Sequence, residues 1–290
     1  IRLLDQGRPR LPFVYALERH KDPETLALTY TLDYERPIGL RLFAKGDPYR
    51  LWGVIPMQRH LIGASNGGRI YLMGGDKLGR CVFSRIIYGS RISLSIGLIG
   101  VVLSLGIGIA LGGISGYYGG IVDTLIQRII EVLRSFPTIP LWLALSAAMP
   151  ATWGQLRVYF CMTLILAFIG WTGVARVVRG KILALREEDY AMAARVAGVR
   201  EFNIIIRHLV PGFTSHLIVT MTIAIPRMIL AETSLSFLRL GLRPPTISWG
   251  VLLQDAQNVN AIALYPWLMY PVVFVIIAVL AFNFVGDGLR

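Results

Sequence analysis

Five long stretches of this chain contain no Asp, Glu, Lys or Arg: Ile92 to Ile114, Ser135 to Leu156, Val158 to Ala175, Leu209 to Pro226 and Ala256 to Gly286. Each comes close to or exceeds the roughly 20 apolar residues that an α-helix needs to cross a hydrocarbon core. Unpaired backbone is so costly in lipid that any such crossing must be helical. The sequence therefore predicts an all-α polytopic membrane protein with five spans. Its 54% hydrophobic and 16% charged residues, with a mean hydropathy of +0.59, exclude an ordinary water-soluble domain. A net charge of +12 would suggest a nucleic-acid partner in a soluble chain, but here the basic residues fall between the apolar runs, as they do in membrane loops. No nucleic-acid partner is expected. Cys81 and Cys161 are far apart and have no metal-type spacing.

The first run carries Gly97, Gly100, Gly106, Gly108, Gly112 and Gly113, small residues that allow helix backbones to approach closely in lipid. The second and third are separated by Arg157 and interrupted by Pro137, Pro140 and Pro150. The fourth is short for a crossing, so it is expected to continue through Arg227 and Glu232 to about Phe237. The fifth is longer than one crossing needs, which puts Ala256 to Leu264 at an interface ahead of the span. Residues 1–75 combine mixed charge, six prolines and alternating stretches such as Leu26 to Tyr34. They predict a compact extramembrane segment of strand and turn, followed by a membrane domain over 76–290.

Between the third and fourth runs, Arg176, Arg179, Lys181, Arg186, Arg195, Arg200 and Arg207 mark the strongest cytoplasmic candidate. Counting Lys and Arg over all loops, Arg290 included, gives too small a bias to fix the topology. Within this loop, residues 186–212 read REEDYAMAARVAGVREFNIIIRHLVPG. The apolar positions suggest two short helices meeting at Gly198. The acids Glu187, Glu188 and Asp189 open the first helix, where they complement its dipole, and Gly198 is placed to end it. Such a hairpin on a membrane surface is suited to gripping another protein.

These residues resemble the cytoplasmic loop of binding-protein-dependent ABC importer permeases. That pattern is Glu-Ala-Ala, three residues, Gly, nine residues, Ile, one residue, Leu-Pro. Ala193, Ala194, Gly198 and Pro211 fall on it, whereas Met192, His208 and Val210 replace its Glu, Ile and Leu. Further segments are similar to the second permease subunit of the oligopeptide, dipeptide and nickel branch: Gly74 to Leu94, Ser115 to Asp123, Ala231 to Leu253 and the closing LAFNFVGDGLR. The likeness covers about residues 74 to 290.

The resemblance implies a type I importer permease fold in the bacterial inner membrane, with a cytoplasmic loop at 176–211 and an extracytoplasmic residue 1–75 segment. The family usually has six spans, so the resemblance also implies that a first span and the initiator Met precede this sequence. It further implies a second homologous permease, two cytoplasmic ATPase subunits that bind ATP and Mg²⁺, an extracytoplasmic solute-binding protein and surrounding membrane lipids as partners. This chain itself would hold no cofactor and no metal. Within the loop, Glu188, Asp189, Tyr190, Ala193, Ala194, Ala197 and Gly198 are expected to dock on an ATPase, with Arg207 and Pro211 fixing the return into the membrane. Short peptides are the favoured solute, with oligosaccharides or nickel as alternatives. A secondary transporter would instead be expected to show internal repeats and intramembrane coupling carboxylates.

Arg227 and Glu232 lie at membrane depth, where an ionisable residue marks a path or a packing contact. Five residues apart, they are poorly placed to pair on one helix. Tyr117, Tyr118, Trp142, Trp249, Tyr265, Trp267 and Tyr270 lie mostly near span ends and read as an aromatic belt at the headgroups. Pro244 to Gln254 resembles the external re-entrant region that contacts the binding protein. No catalytic motif is present. The Gly180–Lys181 pair has Ala175 where a phosphate-binding loop needs its first glycine, so ATP hydrolysis is expected in separate subunits.

Overall fold

A computed structural model describes residues 2–5, 8–21, 28–51, 54–65, 70–150 and 152–289. Leu26, Pro23 and Arg290, used in the sequence reading, lie outside them. The chain divides into two compact units, Ile1–Phe83 and Ser84–Arg290.

The first unit holds four strands: β1 (Arg2–Asp5), β2 (Arg8–Lys21), β3 (Leu28–Leu51) and β4 (Ile55–Ala64). They form an antiparallel meander in the order β1-β2-β3-β4. Among the described residues the named strands all lie in this segment, whose alternation and prolines predicted them, and the named elements after it are helical. Phe13 is buried in this unit and meets Tyr15 edge to face, at 5.2 Å between ring centroids.

The boundary falls after residue 83 rather than 75 because residues 74–82 form one closed turn. The Asp76 carboxylate accepts from the backbone N–H groups of Leu78 and Arg80, both at 2.9 Å, and from Arg80 Nε at 2.7 Å. Val82 N–H then donates to Gly74 O at 3.1 Å. Burial pushes the Asp76 carboxyl up, but these hydrogen bonds and the guanidinium charge outweigh it and hold the group below its usual value of 3.8. A carboxyl lowered on folding adds stability above its unfolded pKa, and that stability is lost as pH falls through the folded value. The thermal stability gap between wild type and Asp76→Asn should therefore narrow as detergent-solubilised protein is acidified below 3.8. A gap that stays constant would remove this role for Asp76.

In the second unit, α1 (Val82–Tyr118), α4 (Gln155–Leu185), the composite segment Glu201–Phe237 and Pro266–Gly288 are each long and apolar enough to cross a membrane. α1, with 37 residues, is about 55 Å long. The fourth expected span does run to Phe237, as α7 (Thr214–Phe237). The fifth is preceded by a separate short helix, α9 (Val259–Leu264), before α10 (Tyr270–Gly288).

The second expected span, Ser135 to Leu156, is not one helix. Residues up to Ser135 belong to α2 (Gly120–Ser135), which meets α3 (Thr138–Ala147) at a bend of 84°. Pro137 forces the preceding Phe136 into an extended conformation, with φ −80° and ψ 135°, and so breaks the helix. With ten residues, α3 is only about 15 Å long. Among the described residues four helices are thus long and apolar enough to span, or five if this bent pair counts as one.

α1 and α4 pack with their backbones close together. A Cβ added at Gly108 would lie 2.6 Å from the Val174 side chain, one at Gly112 would lie 2.5 Å from the Ala175 carbonyl oxygen, and one at Gly116 would lie 2.8 Å from the Arg179 carbonyl oxygen. This every-fourth-residue series faces α4, and Gly100 also does but less closely, a Cβ there lying 4.0 Å from Thr163 and 3.8 Å from Met228 Sδ. Gly97 faces Ile229, Gly113 faces Ile205, and Gly106 faces open space. The spacing is the small-xxx-small pattern by which membrane helices pack when lipid competes equally for apolar surface.

Candidate functional site

The loop between α4 and α7 is a helical hairpin. Its first arm, α5 (Asp189–Val196), has Glu188 in an extended conformation ahead of it and Asp189 in its first turn. Gly198 N–H donates to Arg195 O at 3.0 Å and Val199 N–H to Ala194 O at 3.1 Å, closing a Schellman motif around Gly198 at φ +74°. The second arm starts at α6 (Glu201–Asn203) and continues as a π-helical turn (Ile204–Leu209) and a 3₁₀ turn (Val210–Phe213) into α7. Two helices meeting at Gly198 were legible in the sequence, but the π turn was not.

One face of the hairpin is part of the bundle. Ala191 and Ala194 of α5 are buried with Ile204, Ile205 and Leu209 of the second arm, against Val178 and Ile182 of α4 and Tyr117 of α1. The opposite face is exposed: Tyr190, Met192, Ala193, Val196, Ala197, Gly198 and Phe202 all lie outside, with Val196 89% and Phe202 72% accessible. Glu188, Asp189, Arg207 and Pro211 are also exposed. Of the residues expected to dock, Ala194 points inward and serves as a packing contact. Tyr190 packs beside the return arm, its hydroxyl 3.7 Å from where a Gly212 Cβ would stand.

Polar contacts that the sequence reading missed anchor the hairpin to α1 and α2. Arg179 of α4 grips Asp123 of α2 with two hydrogen bonds, Nε to Oδ1 and Nη2 to Oδ2, both 2.5 Å. Ser115 Oγ also donates to Asp123 Oδ1 at 2.5 Å. Arg186 Nη1 donates to the Gly116 and Tyr117 carbonyls at 3.1 Å, placing a cation on the C-terminal end of α1. The Arg195 guanidinium lies 5.3 Å from the centre of the Tyr117 ring. Tyr118 lies beside Glu201 at the start of the second arm. The two tyrosines therefore meet one arm each, and Tyr117, only 6% exposed, does not sit in a headgroup belt. A bidentate ion pair across 56 residues leaves no local pattern to read; the only sequence signal was Asp123 closing the SGYYGGIVD segment.

Arg227 and Glu232 go separate ways. Glu232 is fully buried and accepts hydrogen bonds from Ser93 of α1 and Ser236 of α7, both at 2.9 Å. Ser93 in turn accepts from the Trp249 backbone N–H, and Trp249 Nε1 donates to Ile86 O at 3.0 Å. Trp249 opens α8 (Trp249–Gln254), every residue of which is buried. Trp249 is thus another aromatic removed from the expected belt. Glu232 is the packing contact that fixes α8 to α1 and α7 through Ser93 and Ser236, whereas Arg227 lines a cavity.

Comparison with known proteins fits this architecture. Residues 108–290 match the family described as binding-protein-dependent transport system inner membrane component. The chain is 38% identical over 217 residues to the dipeptide transport system permease protein DppC of Bacillus subtilis, covering 75% of this chain and 66% of that one. It is 38% identical to the oligopeptide transport system permease protein OppC of the same organism, covering 75% and 69%. It is 40% identical to the glutathione transport system permease protein GsiD of Pectobacterium atrosepticum, covering 75% and 70%. The chain thus spans about two thirds of the length of these relatives. The inward-facing MetNI methionine ABC transporter has the same fold, with a TM-score of 0.50 and 17% identity over 72% of this chain and 97% of that one. A bundle of apolar helices with a buried-root hairpin between its third and fourth long apolar segments, matched by sequence over most of its length, makes this chain a member of the binding-protein-dependent transport system inner membrane component family.

Proposed function

We propose that this chain is the permease subunit of an ATP-driven importer that moves short peptides or similar small solutes across the bacterial inner membrane. It pairs with a second homologous permease, receives solute from an extracytoplasmic binding protein, and is driven by two cytoplasmic ATPase subunits that bind ATP and Mg²⁺. The relatives named for dipeptides, oligopeptides and glutathione support the solute class. One observation carries the coupling role: the α5 hairpin is rooted in the core of α1 and α4 yet presents Val196 and Phe202 outward. A partner that grips this face is coupled directly to the spans, and it shifts their equilibrium if it binds one conformation better than another.

Gly198 supplies the test. A Cβ there meets nothing within 4 Å, so a substitution crowds no neighbour. Its φ of +74° nevertheless costs a β-branched residue about 1–2 kcal/mol, enough to reshape the turn between the two arms. Gly198→Val should leave the amount and assembly of the permease unchanged while abolishing uptake and solute-stimulated ATP hydrolysis. Uptake at the wild-type rate would refute the coupling role.

A further inference from the structure

A cavity of about 330 Å³ lies between the helices, with walls from α1, α2, α3, α4 and α7. It has room for roughly ten water molecules or one small solute group. Two guanidinium groups line it, Arg134 in the last turn of α2 and Arg227 in α7, together with Trp142 of α3. No acidic residue does. Arg227 lies about 15 Å along the helix from the Phe237 end, well inside the apolar segment. Among the described residues, neither guanidinium has an ion-pair partner, and the indole N–H of Trp142 is shielded from solvent without an acceptor. Ser104 and Thr172, also in the lining, give their hydroxyl protons to Ala167 O and Ile169 O.

The cavity therefore gathers donors and positive charge with no carboxylate in its lining to receive them. A guanidinium at membrane depth is costly unless it faces water or a counter-charge, and an unmatched buried donor adds to that cost. An oxyanion meets both needs, because its oxygens accept from a guanidinium fork in paired, charge-assisted hydrogen bonds and can accept from an indole N–H as well.

We infer that the Arg134–Trp142–Arg227 cavity binds an oxyanion, either the carboxylate of a passing solute or the phosphate of an anionic lipid. The solute form rests on the proposed function and refines it, since it selects peptides with a free C-terminal carboxylate. Arg134 and Arg227 provide the charge and Trp142 the orienting donor. Gly173 on the cavity wall keeps the space open, as a Cβ there would meet nothing within 4 Å.

The experiment has two arms, both on the assembled importer with its ATPases and binding protein. In the first, uptake of a tripeptide with a free carboxylate is compared with uptake of its C-terminal amide, for wild type, Arg134→Gln, Arg227→Gln and Gly173→Leu. Preferences of the binding protein cancel between variant and wild type. Each variant should lose at least about tenfold in free-acid uptake while amide uptake changes little, the size expected for one charge-assisted contact. In the second arm, native mass spectrometry counts phosphatidylglycerol retained on the complex against phosphatidylcholine. A selective loss of phosphatidylglycerol in the arginine variants, with both uptakes unchanged, assigns the site to lipid phosphate. Equal effects on acid and amide together with unchanged lipid retention would overturn the oxyanion site. If the wild-type importer moves no peptide, the proposed function fails, while the lipid arm still decides whether the cavity binds an oxyanion.

Discussion

Gly112→Val should prevent the membrane unit from packing, with no folded chain recovered in mild detergent. The first side-chain atom would lie 2.5 Å from the Ala175 carbonyl oxygen and 2.9 Å from its Cα. Both are backbone atoms of a long helix, so relief requires separating α1 from α4 along their whole contact. Overpacking a core ordinarily costs about 1–3 kcal/mol, and opposition by backbone rather than a side-chain tip puts this substitution at or above the top of that range. Loss of the contact would also unseat the hairpin, because Tyr117 of α1 and Ile182 of α4 form its floor. Gly106→Ala is the matched control, since its new Cβ meets nothing within 4 Å. It should migrate and melt like wild type. A Gly112→Val protein that melts with the control would show that the α1–α4 contact does not hold the bundle.

The second large effect is expected at Glu232. Glu232→Ala would leave the buried hydroxyls of Ser93 and Ser236 without their acceptor and open a cavity between α1 and α7. Each unmatched buried donor costs about 1–3 kcal/mol, so the pair should cost roughly 2–6 kcal/mol. Glu232→Gln retains an acceptor oxygen and the side-chain volume, and should lose much less. The damage should reach residues 242–254, because Ser93 also holds the Trp249 backbone and Ser236 Oγ accepts from the Leu242 N–H at 3.1 Å. Amide hydrogen exchange is expected to accelerate over residues 242–254 in the alanine variant and to stay near wild type in the glutamine variant. Equal exchange in all three proteins would reduce Glu232 to a residue without a structural role.

Much of this architecture could be read from the chain because lipid imposes a simple rule on it. Charge-free runs found α1, α4, α7 and α10, and a length argument carried the fourth span past Pro226 to Phe237. Gly198 was legible as a helix end because a left-handed position after an amphipathic run favours glycine. The broken second span was harder. Hydropathy cannot distinguish one helix from two meeting at 84°, although Pro137 marked the place. The aromatic residues misled for a related reason: nearness to a span end suggests the headgroups, yet Tyr117 and Trp249 are drawn into the core by contacts with Arg195 and Ile86. The Asp123–Arg179 pair and the Glu232–Ser93 contact join residues more than fifty positions apart, so neither leaves a periodic or local trace. The glycine series at 108, 112 and 116 was visible as small residues, but which of them faced α4 depended on the helix rotation that packing sets.

The central claim is that the outward face of the α5 hairpin couples this permease to an ATPase. Site-specific cross-linking tests it most directly. Val196→Cys is the position of choice, because Val196 is 89% exposed on that face and makes no contact with the buried cluster beneath it. The account predicts that a thiol cross-linker of short reach joins Val196→Cys to an ATPase subunit in membranes, with a yield that changes when ATP is added. Ile276→Cys on the exposed side of α10 should give no such product. If Val196→Cys cross-links to no ATPase in membranes where the importer is shown to be assembled and active, the hairpin is not the coupling element.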